Sequence, residues 1–138
     1  MTKFFYASVI AAMAMLSGAA GVTTANGAVV IEGNEVDRIA TLRNVSITKG
    51  EISGEAVNNL RDTLRDVVLE IKYSWRWRNE FHPGTDDPGR TVYYNLVKEI
   101  APGGSARFDY KPSPPLTERG DGAFVIDVKI AGFERVYR

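Results

Sequence analysis

Apolar and polar residues alternate most regularly from Leu64 to Phe81, in the stretch LRDVVLEIKYSWRWRNEF. Val67, Leu69, Ile71, Tyr73, Trp75 and Trp77 share one parity, and Glu70, Lys72, Ser74, Arg76 and Arg78 share the other. A period of two belongs to a strand with one buried face and one wet face. Both tryptophans fall on the buried parity, so this strand supplies much of the bulk of the core. Trp77, at the strand end beside a loop, is expected to be the more exposed of the two. Fully extended, the stretch would reach about 60 Å at ~3.3 Å per residue, beyond the length of an ordinary strand. A bend or bulge is therefore expected near Val67-Val68, where two apolar residues sit side by side.

The same pattern recurs on either side. Ala28 to Ile31 reads as a short first strand, followed by a turn at Glu32 to Asn34. Val36, Ile39, Ala40 and Arg43 fit a helical stripe, whereas Val45 and Ile47 alternate, and the preferred reading is strand from Asn44 to Thr48 with a turn at Lys49-Gly50. Glu51 to Asn58 alternates through Ile52, Gly54 and Ala56, small residues that imply close approach of a neighbouring strand. After the long strand, Asn79 to Arg90 carries Pro83-Gly84 and Pro88-Gly89 and reads as a loop. Thr91 to Glu99 is apolar on both parities, as in an inner strand or a strand with a partly covered outer face. Ala106, Phe108 and Tyr110 alternate, Pro112 to Gly122 is a loop excluded from a central strand by its prolines, and Phe124, Ile126, Val128 and Ile130 face inward with a bulge expected at Gly132. With six or seven strands and no convincing helix, the pattern predicts an all-β fold, an immunoglobulin-like antiparallel β-sandwich, with a closed barrel as the competitor.

The first residues follow a different logic. Lys3 precedes an apolar run from Phe4 to Leu16 broken only by Ser8, and Ser17 to Ala20 are small. This is the layout of a secretory signal peptide over residues 1–20, with cleavage as late as Ala25 fitting equally well, which leaves residues 26–138 as the folded domain. The run is shorter than the roughly 20 apolar residues of a membrane span, so no span is expected after its removal. The reading implies an exported protein of the periplasm or the extracellular space. Lysine plus arginine and aspartate plus glutamate number 17 each. Such a balance offers no steering field for nucleic acid. Cysteine is absent, which excludes a disulfide scaffold, a thiolate nucleophile and a cysteine-ligated metal.

Gly54-Glu55-Ala56-Val57-Asn58-Asn59, then Leu64-Arg65-Asp66-Val67 and the strand through Tyr73, resemble the FxLYD-type domains of exported bacterial proteins over roughly residues 51–75. The Phe-x-Leu-Tyr-Asp signature of those domains is replaced here by Tyr73-Ser74-Trp75. The resemblance implies an immunoglobulin-like sandwich in the cell envelope and no catalytic residues. The stretch from Trp75 to Gly89 is also similar to a bacterial envelope protein of unassigned function.

Candidate chemistry gathers in the loop. Trp77, Phe81, His82, Asp86, Asp87 and Arg90 make up a possible ligand loop for a sugar or small anion, with Glu80 nearby. Carboxylates there suit calcium and His82 a transition metal. The alternating acids of a helix-loop-helix calcium site are missing, however, and one histidine does not build a histidine-rich zinc site. Turn-forming polar sequence is the simpler reading, and no metal or cofactor is assigned. Lys72, Arg76 and Arg78 form a cationic row on the wet face, read as a solvated face with cross-strand partners such as Glu99, Asp109 or Asp127. Pro112-Ser113-Pro114-Pro115 is read as a stiff connection despite its PxxP pattern. Asn44-Val45-Ser46 is a glycosylation sequon too common to carry weight. No nucleophile elbow or base-oriented nucleophile is present. The sequence therefore reads as a non-catalytic module that binds another envelope protein or itself through an edge strand. The alternatives are a small-ligand or carbohydrate-binding module using residues 81–90 and, behind it, a hydrolase.

Overall fold

A computed structural model describes residues 27–137, and the segment read as a signal peptide lies outside the described residues. In chain order the elements are β1 (Ala28–Glu32), a 3-10 turn (Gly33–Glu35), the single-turn helix α1 (Val36–Ile39), β2 (Ala40–Thr48), β3 (Glu51–Asn58), β4 (Thr63–Trp77), β5 (Arg90–Asn95), β6 (Ser105–Tyr110) and β7 (Gly122–Val136). Two sheets form, ordered β1-β7-β4-β5 and β2-β3-β6, and every strand pairing is antiparallel. The fold is an all-β, seven-stranded sandwich with the four-plus-three division of immunoglobulin-like domains. In the larger sheet the last strand lies between the first and the fourth. Among the described residues each sheet ends in open edges rather than closing into a barrel.

The long alternating strand is the spine. Val67, Leu69, Ile71 and Tyr73 are buried, and Trp75 is 9 % exposed, whereas Trp77 at the strand end is only half-buried. The expected bulge lies where two apolar residues adjoin. Pairing of β4 with β7 shifts between Arg65 and Val68 and again between Val68 and Leu69, opposite Ala131-Gly132. Asp66 takes a positive φ of 50° in that bulge. The shift lets Val67 turn inward without throwing the whole downstream set to the wrong face, which a simple one-residue slip would do.

Four local readings are corrected. The segment from Val36 to Ile39 is helical, because its stripe places Val36 and Ile39 in the core. The strand that follows begins at Ala40, earlier than Asn44. The long strand ends at Trp77 rather than Phe81, since the Asn79 side chain accepts from the Phe81 N–H and starts a turn. β5 is an edge strand that ends at Asn95. Its apolar content on both parities does not mark an inner position: Val92 and Tyr94 are half-buried, but Tyr93 is 43 % and Val97 97 % exposed. Small residues in β3 do mark a close approach: a Cβ on Gly54 would stand 3.0 Å from the Phe108 ring, and buried Ala56 lies opposite Ala106.

The ends of the two sheets are tied by Asn58. Its fully buried amide donates to the carbonyls of Asp62, Ile100 and Ala101 and accepts from the Leu60 N–H. Ile100 in turn exchanges two backbone hydrogen bonds with Leu64 of β4. One side chain thus satisfies the buried backbone groups of two connections, which hydrogen-bond accounting requires.

Candidate binding surface at the open edge of β7

β7 alternates as its sequence predicts, with Phe124, Ile126, Val128 and Ile130 on the inner face and Val125, Asp127 and Lys129 outside. Along one edge it pairs with β4 from Gly122 to Val136. Along the other it pairs with β1 from Gly132 to Val136 alone. The cause lies in the first strand. After Glu32 the chain enters Gly33 with φ 72°, leaves the sheet, and turns Val36 and Ile39 into the core. The second edge of β7 from Gly122 to Ala131 consequently has no strand neighbour among the described residues. Such an edge presents alternate N–H and C=O groups to any extended chain that reaches it.

The inner face behind this edge is incompletely covered. β2, in the facing sheet, buries Ala40 and half-buries Leu42, but Val45 is 39 % and Ile47 42 % exposed. Phe124, Ile126 and Val128 are correspondingly half-buried. A cavity of about 510 Å³ opens there, walled by Ile47, Trp75, Leu116, Arg119, Phe124 and Ile126.

Trp75 and Arg119 belong to the cavity wall, and Trp77 packs against both. Trp75 meets Phe124 edge-on at 4.8 Å and Trp77 at 5.9 Å between ring centroids. The Arg119 guanidinium lies 5.2 Å from the Trp75 ring centre and 5.4 Å from that of Trp77. It grips Asp121 with two nitrogens, at 3.0 and 2.6 Å, and reaches Asp86 at 3.2 Å. The Asp121 carboxyl is held below the usual carboxylate range chiefly by this hydrogen-bonded fork. Trp75 is packed so tightly against the strand opposite that a Cβ on Gly122 would stand 2.6 Å from its ring. Its indole N–H is buried and meets no acceptor among the described residues.

The residues singled out in the loop part company. Trp77 and Asp86 join the corner, Trp77 packing over Gly84 and Asp86 pairing with Arg119, whereas Arg90 lies apart from it, 5.5 Å from the Tyr73 ring centre and donating to the Pro114 carbonyl. Asp87 turns back to accept from the Gly89 N–H at 2.8 Å. Phe81 is 92 % exposed and His82 is exposed, its backbone N–H bonded to Asn79. Among the described residues no group of three or more histidine, aspartate or glutamate side chains is placed to hold a metal. In the cationic row, Lys72 stands in register with Asp127, and neighbouring Glu70 pairs with Lys129 at 3.6 Å. Asp109 lies on the other sheet.

Arg119, Ile47 and the inner residues of β7 were not singled out as a site from the sequence. Arg119 sits in a glycine- and proline-rich connection, where a cation carries no pattern. The open edge of β7 follows from β1 being short, which only the pairing reveals. No described helix is long and apolar enough to cross a membrane. Compared with protein-family models, with curated proteins and with solved structures, the chain matches none.

Proposed function

We propose that this chain is a non-catalytic interaction module of the cell envelope that accepts an extended strand alongside β7. The observation that carries the reading is the open edge from Gly122 to Ala131, standing beside a half-covered apolar face. A strand added there gains main-chain hydrogen bonds, and alternate side chains reach inward over Phe124, Ile126 and Ile47. The envelope location rests on the signal-like first residues and on the resemblance over residues 51–75.

The sugar or small-anion reading draws on the same corner and is less well supported. Arg119 spends its charge on Asp86 and Asp121 and covers indole surface on which a sugar would stack. Hydrogen exchange tests strand acceptance. Peptides selected from a random library against the full chain are expected to slow exchange of amides between Val125 and Ala131 and to change Trp75 emission. Selection that yields no binder, or binders that protect other segments, overturns the reading.

A further inference from the structure

We infer that the strand accepted by β7 is β7 of a second copy of this chain, paired antiparallel about a two-fold axis at Val128. The inference rests on the strand-acceptance reading and names its partner.

Residues directly opposite in an antiparallel pair point to the same face. β7 therefore meets its own copy only in registers that keep inner residues against inner residues. A register centred on Asp127 sets two aspartates opposite each other, and one centred on Lys129 sets two lysines opposite each other; both are unfavourable. Centring on Val128 sets Asp127 opposite Lys129 of the copy, twice over by symmetry. The same register sets Ile126 opposite Ile130 and Val125 opposite Ala131, so every remaining pair is apolar. It spans Val125 to Ala131 and stops where β1 takes over the edge at Gly132. Of the nearby registers, it alone opposes the two charges.

The sheet already holds the flanking charges in phase. Lys129 pairs with Glu70, and Asp127 lies in register with Lys72. Joining two copies extends this into a row reading Glu70, Lys129, then Asp127 and Lys72 of the copy, with the sign alternating or complementary across the new junction. An isologous contact of this kind closes on itself and builds no fibre.

The chain contains no cysteine, so one introduced thiol reports one position. In the full chain, Val128→Cys is expected to form a disulfide-linked dimer on mild oxidation, because opposed Cα atoms lie about 4.5–5.5 Å apart, within disulfide reach. Val125→Cys is expected to stay unlinked, its copy lying about 20 Å away at ~3.3 Å per residue. Asp127→Lys alone and Lys129→Asp alone each oppose like charges and are expected to weaken self-association at least tenfold in sedimentation. Mixed in equal amounts, the two variants restore the charge match and dimerise, which misfolded proteins would not do. A wild-type chain that sediments as a monomer at its highest soluble concentration overturns the inference. So does linkage of Val125→Cys as readily as Val128→Cys, or a mixture that fails to associate. If those results come with peptide protection of Val125 to Ala131, strand acceptance survives and the partner is another protein; without that protection both readings fall.

Discussion

The side-chain amide of Asn58 donates to the main-chain carbonyl of Ile100 at 3.1 Å, in a part of the molecule where neither residue meets water. Asn58 closes β3 in one sheet, and Ile100 bridges to β4 in the other. The same amide satisfies Asp62 and Ala101, and its oxygen takes the Leu60 N–H.

Replacing Asn58 should therefore be among the more damaging single changes in the protein. Asn58→Ala leaves several buried backbone groups without partners and is expected to cost about 3 kcal/mol, at roughly 1–3 kcal/mol for each unsatisfied group with partial relief by water. Asn58→Asp sets a carboxylate against three carbonyl oxygens. Its pKa in the folded state must rise, so the stability it contributes is present at low pH and is lost as pH rises through that value. Urea titrations should find Asn58→Asp less stable than Asn58→Ala at neutral pH and the gap narrowing toward pH 4. A gap that widens on acidification contradicts the assigned hydrogen bonds.

Asp66 offers a change in the opposite direction. Partial burial and a hydrogen bond shared with the Glu134 carboxyl push the Asp66 pKa upward, while Arg65 holds Glu134 below its usual range. A carboxyl raised on folding contributes stability below its unfolded pKa and loses it as pH rises through the folded value. Asp66→Asn keeps a donor toward Glu134, removes that loss, and suits the positive φ of 50°. It is expected to stabilise the protein by about 0.5 kcal/mol at pH 7 after solvent screening, with no gain near pH 3. Thermal melts at the two pH values check it.

Tyr73 titrates at the other extreme. Burial, reinforced by Tyr110, pushes its phenol up to about 12, and its hydroxyl donates to the Gly50 carbonyl at 3.1 Å. The phenol ionises near 10 in the unfolded chain. Folding stability tied to Tyr73 is therefore full below pH 10 and lost as pH rises through 12, by about 3 kcal/mol in all at ~1.4 kcal/mol per pKa unit. Tyr73→Phe is expected to cost about 1 kcal/mol at pH 7, for the lost hydrogen bond. It should flatten the decline in stability above pH 10. A variant that declines as steeply as the wild type removes Tyr73 from the alkaline transition.

Alternation made the sandwich legible because each inner residue of β4 and β7 is opposed by another inner residue, so the period survives into the core. Even the bulge showed, as the side-by-side pair Val67-Val68. The pattern faltered where a short element is decided by tertiary contact. Val36 to Ile39 is one helical turn, too short to stand without the core that receives Val36 and Ile39. The binding surface was less legible for a related reason. An edge is a property of pairing order, and nothing in VIDVKIA says that its second side lacks a neighbour. The loop residues were conspicuous for their chemistry, yet Asp87 serves its own turn and Asp86 serves Arg119.

That last contact gives the final prediction. Arg119 touches both indoles and joins the loop after β4 to the loop before β7 through Asp86 and Asp121. Its planar fork matches the Asp121 carboxylate with two parallel hydrogen bonds while its face rests on the rings, a combination that a lysine ammonium does not reproduce. Arg119→Lys should therefore behave much like Arg119→Ala, despite keeping the charge. Both are expected to admit water to Trp75 and Trp77, shifting emission to longer wavelength and raising quenching by acrylamide, while the far-ultraviolet signature of the strands stays intact because β4 and β7 pair independently of this residue. Added salt should leave the wild-type emission unchanged if ring contact holds the corner. If instead Arg119→Lys keeps the wild-type spectrum and salt shifts it, charge alone secures Arg119 and the stacking has no part in shielding the tryptophans.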